Sequence, residues 1–193
     1  MFHEAENTGA ASGPIDGIGA RVRAQRRALG WSMRELASRA GVSQPFVSKL
    51  ESAQIVPSLA TLYALAEALG VTPSTLLPPT GGGGDRDGEG LHLPLADGGD
   101  ADHVTLVAGG SDKILQAYEF RLDEGEGDET SFRHGGEEFV YVVAGSIRCE
   151  RDGLDDVVLA AGTTFSIDPT VPHRWRATAD GSRFLLVCSD RED

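Results

Sequence analysis

Three side chains in the second half of the chain have the types and spacing of a metal-ligand set: His134, Glu138 and His173. His134 and Glu138 are an even number of residues apart in a stretch that reads as a β-strand, which points them to one face. His173 stands on a later strand that can face the first. Two imidazoles and one carboxylate suit Zn(II), Fe(II), Mn(II) or Ni(II) and leave open positions for a ligand. The same three groups could instead bond one another and help to hold an organic effector without metal. Both readings stay open on the residues alone.

The elements that must position them fall into two kinds. Residues 15–77 read as five short helices. The first, IDGIGARVRAQRRALG, carries Ile15, Ile18, Val22 and Leu29 as a partial apolar stripe and stops at Gly30. The second, Met33–Ala40, opens on a capping box made of Ser32 and Glu35 and ends at Gly41. The third starts at Ser43 with Pro45 in its first turn and runs to Glu51. A fourth is capped by Ser58, and a last turn from Pro73 to Leu77 is capped by Thr72. Pro78, Pro79 and the glycines 81–84 then open a flexible linker expected over 79–102. Beyond it the period becomes two: HVTLVAG, KILQAYEFRL, EFVYVVAGSIRCE, DDVVLA, TTFSIDP, HRWRATA and RFLLVCS are short strands between Gly/Asp turns, as in an antiparallel sandwich or barrel.

Bulk properties exclude several classes. No apolar run approaches the roughly 20 residues of a membrane helix, so no membrane partner is expected. The first fourteen residues lack the basic and apolar regions of a secretory signal and are expected to form a disordered arm. The two cysteines, Cys149 and Cys188, sit in strand-like stretches without a CxxC, which fits buried thiols in a reducing cytoplasm. The net charge of −13 speaks against nucleic acid only until it is divided. Residues 15–77 hold seven basic and four acidic side chains, whereas residues 80–193 hold ten and twenty-four. The helical half can therefore present a basic face to phosphate. The acidic run Asp123 to Glu129 reads as a solvated loop, and His3, His92 and His103 as surface residues.

WSMRELASRAGVSQPFVSKLE, followed by PSLATLYALAEALGV, resembles the helix-turn-helix of phage-repressor-like, XRE-type transcription regulators over residues 15–77. The resemblance implies a recognition helix from Ser43 to Glu51 lying in the major groove of double-stranded DNA. It places Gln44 where family members contact adenine, and it makes Lys49 a candidate for guanine. Ser43, Pro45, Ser48 and Arg34 complete the expected DNA-binding set. Arg26 and Glu51 occupy the positions of a buried structural ion pair. Met33 departs from the pattern, since some repressors have a Gln there that braces the first recognition residue.

HGGEEFVYVVAG and GTTFSIDPTVPHRW resemble the two motifs of a cupin. His134, Glu138 and His173 match three of the family's four ligand positions, and Phe132 replaces the remaining His. Tyr118, Phe132, Arg148 and Trp175 are the residues expected to line an effector pocket.

The chain is thus read as α+β in two domains: an arm at 1–14, an all-α five-helix DNA-binding domain at 15–78, a linker at 79–102, and an all-β cupin (jelly-roll, double-stranded β-helix) barrel at 103–193. The function expected is a sequence-specific regulator, a homodimer without catalytic residues, whose cupin binds a small molecule, a divalent metal, or both. The alternative is a mononuclear iron oxygenase or epoxidase acting on a small acid such as a phosphonate, because some chains with this two-domain plan and ligand set are such enzymes.

Overall fold

The computed structural model describes residues 14–79, 90–97, 99 and 103–189. The expected arm lies outside the described residues except for Pro14, which begins a helix, and so does the linker stretch 80–89.

Five helices form the first half: α1 (Pro14–Ala28), α2 (Met33–Ala40), α3 (Gln44–Glu51), α4 (Leu59–Leu69) and α5 (Pro73–Leu76). Their starts are fixed by side-chain caps. Ser32, Ser43 and Ser58 accept from the backbone N–H three residues on, which satisfies donors that the first turn leaves orphaned. The expected capping box is half made, because the Glu35 carboxylate pairs with Arg39 at 2.7 Å. Thr72 makes no side-chain cap; its hydroxyl bonds those of Ser74 and Thr75. Gly41 and Gly70 end α2 and α4 at φ +69°, where a Cβ would be strained.

Ile18, Val22, Leu36, Val47, Leu50, Leu62 and Leu65 make the core of this half. Gly19 lets α1 lie against α3, since a Cβ there would stand 2.0 Å from the Leu50 carbonyl oxygen. Arg26 crosses the same interface and binds Glu51 through two hydrogen bonds of 2.6 and 2.7 Å, while its third nitrogen reaches the Trp31 carbonyl. Both side chains are nearly closed to solvent, and the pair fixes the far end of α3.

The second half is built from nine strands: β1 (Leu91–Leu93), β2 (Val104–Ala108), β3 (Leu115–Leu122), β4 (Glu138–Ala144), β5 (Ser146–Arg151), β6 (Val157–Ala160), β7 (Thr164–Ile167), β8 (His173–Ala177) and β9 (Ser182–Ser189). They form a six-stranded sheet in the order β1-β2-β3-β9-β4-β7 and a three-stranded sheet in the order β6-β5-β8. Every pairing is antiparallel. Tyr118, Phe120, Val140, Val142, Phe184 and Leu186 from the large sheet pack inward with Ile147, Cys149, Trp175 and Ala177 from the small one. Strand β1 corrects the expected linker: Leu91 and Leu93 are buried and pair with Leu106 and Val104. A three-residue strand amid Gly, Pro and Asp gives too short an alternation to be read.

Helix α4 belongs to both halves. It is apolar almost all round, and Leu59, Ala60, Leu62, Tyr63, Leu65, Ala66 and Leu69 are all buried. Such a helix must be covered on more than one side. The buried apolar residues accordingly form one cluster that runs through helices and strands alike.

Removing one partner of the Arg26–Glu51 pair leaves a buried charge uncompensated. Glu51→Ala should therefore destabilise the helical half by about 3–5 kcal/mol, and Arg26→Met with Glu51→Leu should recover most of that loss. Urea denaturation followed by circular dichroism at 222 nm checks both.

Candidate functional site

The described residues hold one group of three potential metal ligands, His134, Glu138 and His173, whose ligand atoms all lie within 4.8 Å of one another. Glu138 opens β4 and points inward with Val140 and Val142, while Phe139 and Tyr141 point out. His173 opens β8 on the facing sheet and His134 precedes β4, so both sheets contribute. Glu138 Oε2 lies 2.8 Å from His134 Nε2, and Oε1 lies 3.2 Å from His173 Nε2. All three side chains are almost completely buried.

The hydrogen bonds on the far sides of the rings fix what faces the centre. His134 Nδ1 is 2.7 Å from the Gly135 carbonyl and His173 Nδ1 is 2.8 Å from that of Val171. A carbonyl only accepts, so each Nδ1 carries a proton and it is Nε2 of each ring that faces Glu138. His173 Nε2 is close to the carboxylate, yet no directed hydrogen bond satisfies it. Two imidazole nitrogens facing one buried carboxylate need a cation or protons among them. With one ligand atom from each residue, the three atoms lie within 4.8 Å of one another, close enough to share one ion. The donor set therefore fits a divalent metal.

The three groups are also coupled electrostatically. Burial pushes the Glu138 carboxyl up, but His134 and His173 together hold it below its ordinary range. Burial lowers His173, and the neighbouring Glu138 carboxylate more than reverses this. Glu138 Oε1 also accepts from the Trp175 indole N–H at 3.3 Å, a partner that orients the carboxylate.

Of the expected pocket residues, Phe132, Trp175 and Tyr118 are buried inside the barrel. Phe132 takes the position of the missing His, and its ring lies 4.8 Å from that of His173. Arg148 is not among them. Its neighbours Ile147 and Cys149 face the core, which puts Arg148 on the outer face beside Arg174 and Arg176. Arg174 and Arg176 pair there with Glu150.

Two residues were missed. Asp128, expected in a solvated loop, is buried and accepts the Trp175 backbone N–H at 3.1 Å; burial raises its carboxyl to about 7. Tyr63 reaches in from α4, with its ring 5.1 Å from Phe132 and 5.0 Å from His134, and its hydroxyl 3.3 Å from Cys188 Sγ. Burial first, then Cys188 and Tyr118, hold the Tyr63 hydroxyl well above its ordinary range, so it stays protonated. The nearly all-round apolar surface of LATLYALAEAL was the available signal that something must cover it. His92 is exposed as expected, while His103 is half-buried 3.7 Å from Glu126.

The other face is α3 and its approach. Gln44, Pro45 and Lys49 are exposed at the free end and side of α3, Ser43 is its exposed N-cap, and Ser48 is half-buried. Arg34 is exposed on α2. Gln44 Nε2 donates to Met33 Sδ at 3.9 Å, so the position that departs from the repressor pattern still touches the first residue of α3, through a weak acceptor.

Two helices at a fixed angle with a polar, exposed second member, followed by a barrel with an inward His–Glu–His set, define a DNA-binding regulator architecture fused to a cupin. The helix-turn-helix family model matches residues 22–76 and the cupin domain model residues 118–189. An HTH-type transcriptional regulator of Sinorhizobium fredii, y4dJ, is 40% identical over 63 residues, which are 33% of this chain and 82% of that protein. The crystal structure of an HTH_3 family transcriptional regulator from Vibrio cholerae superposes with a TM-score of 0.66 at 18% identity, covering 93% of this chain and 98% of that one. Hydroxypropylphosphonic acid epoxidase from S. wedmorenis overlaps at a TM-score of 0.40 and 20% identity, over 91% of this chain and 98% of that one, too distant to bear on chemistry. The chain belongs to the helix-turn-helix transcriptional regulators.

Trp175→Phe keeps an aromatic ring, though a smaller one, and removes the donor to Glu138. It should lower the stability of the barrel by about 1–3 kcal/mol, read from the urea midpoint of near-ultraviolet circular dichroism.

Proposed function

We propose that the regulator reads double-stranded DNA through α3 and that a divalent metal held by His134, Glu138 and His173 makes the barrel its sensing half. What carries the reading of the barrel is the pair of buried Nε2 atoms turned toward one buried carboxylate, with both Nδ1 protons already committed to backbone carbonyls. When bound, a metal in this set supplies a Lewis-acidic centre with open positions for a small-molecule effector; Zn, Fe, Mn and Ni all suit the donors. Trp175 orients Glu138, while Phe132 and Tyr118 give the interior apolar walls. Ser43, Gln44, Pro45, Ser48, Lys49 and Arg34 form the DNA contact set, with Gln44 and Lys49 toward base edges. A homodimer supplies two α3 helices for half-sites about 34 Å apart.

The donor set also favours one second reading, a mononuclear iron oxygenase or epoxidase acting on a small acid such as a phosphonate. Fe(II)-dependent oxygen consumption with such acids separates it from the regulator, for which none is expected.

DNA binding is tested by fluorescence anisotropy with duplexes from the chain's own upstream region. Gln44→Ala should cost about 1–3 kcal/mol and relax base preference at one position, whereas Arg34→Ala should weaken all sequences alike and reduce the salt slope by about 1. Failure of the wild type to bind any such duplex at moderate salt would sink the reading.

Metal analysis of the purified full chain tests the barrel. One divalent ion per chain is expected in the wild type and none in the His134→Ala, His173→Ala double variant. A metal-free wild type that still responds to small organic molecules would assign the pocket to an organic effector alone.

A further inference from the structure

A residue of the helical half packs directly against the barrel site. Tyr63 comes from α4, yet its ring lies 5.0 Å from His134 and 5.1 Å from Phe132, and its hydroxyl meets Cys188 on β9. It is 3% exposed, so the phenol is wedged into the barrel wall and does not rest on its surface.

Three consecutive residues of the barrel do the holding. Phe132 packs against Tyr63 with the rings tilted by 38°, Arg133 pairs with Glu67 of α4 at 2.8 Å, and His134 supplies both a ring against Tyr63 and an Nε2 toward Glu138. Phe132 is tied to His173 by backbone hydrogen bonds in both directions, of 2.9 and 3.0 Å. The segment 132–134 is thus at once a wall of the site and the seat of α4. The other end of α4 is held as well, because Asp97 accepts from the Ser58 backbone N–H and the Thr61 hydroxyl, each at 2.8 Å. On its opposite side α4 packs into the helical core through Leu62 and Leu65, together with Leu36 and Ala37 of α2, the helix that positions α3.

We propose that Tyr63 is the coupling residue of this regulator, a wedge through which the state of the His134–Glu138–His173 site sets the seating of α4 and so the placement of α3 on DNA. This rests on the metal reading given above. The two states are α4 seated, with Tyr63 between Phe132 and His134, and α4 released. An occupant that holds His134 and His173 together favours the loop conformation in which 132–134 grips Tyr63. That difference between states is what coupling requires. Coupling is also reciprocal: DNA must change the affinity of the site by the factor by which the site changes affinity for DNA.

The experiment uses the full chain and Co(II), whose visible absorption reports loading independently of DNA. Anisotropy with the upstream duplex gives the dissociation constant of Co(II)-loaded and chelator-treated protein. The wild-type ratio should be at least fivefold, and the duplex should shift the Co(II) affinity by the same factor. Tyr63→Leu should still load Co(II), while its ratio falls below twofold. Since Tyr63→Leu leaves a cavity, the double variant Tyr63→Phe, Glu67→Gln, which keeps the apolar contacts, should at least halve the ratio. A folded, loaded variant of either kind with the full wild-type ratio overturns the proposal. So does a wild type that loads Co(II) without any change in DNA affinity. A wild type showing no Co(II) absorption overturns the metal reading itself, and this proposal with it; the missing spectrum tells the two failures apart.

Discussion

The barrel is organised around a carboxylate with no access to water. Glu138 lies at the start of β4, pointing into a core of Val140, Val142 and Trp175. Taking such a group out of solvent costs several kcal/mol unless neighbours restore what hydration gave. Two imidazoles and an indole N–H surround it, and each imidazole is oriented by a further bond to a backbone carbonyl. The turn before β8 and the segment before β4 must hold those bonds, so the local backbone is shaped by one charge. The same demand gives the site its chemistry, because the arrangement that satisfies a buried carboxylate between imidazoles is also the one that receives a cation.

The helical half answers a similar problem by a different route. Arg26 and Glu51 are buried together and satisfy each other through two parallel hydrogen bonds. Nothing open faces that pair, and it serves orientation alone. One domain closes its buried charge within a single ion pair, whereas the other gathers two imidazoles around one carboxylate. The contrast separates a structural ion pair from a ligand set more clearly than burial does.

Most of the helical half was legible in the sequence, because its signals are local. Ser32, Ser43 and Ser58 cap where they stand, and Gly41 ends α2 in the left-handed conformation. The strands were legible from alternation, with β1 the exception at three residues. The convergence of His134, Glu138 and His173 could be expected from face and spacing. Arg148 is on the outer face because β5 alternates with Ile147 and Cys149 turned to the core, an alternation already present in the sequence. Asp128 lay in a charged run whose composition signals solvent, while its burial comes from a long-range contact with Trp175. Tyr63 looked like one more core residue of a helical bundle. Its reach into the barrel depends on how two halves dock, which no local pattern encodes.

That docking bears on how such proteins diversify. Domain fusions are commonly pictured as beads exchanged along a string, each bead keeping its own interior. Here one hydrophobic cluster passes from helices to strands, and a phenol of one half packs on a site histidine of the other. A barrel transplanted from a cousin would arrive with a hole where Tyr63 belongs, and a transplanted helical half would need its own bulky ring at that position. Inheritance should therefore move these two halves together, with substitutions at 63 and 132 tracking each other through the lineage.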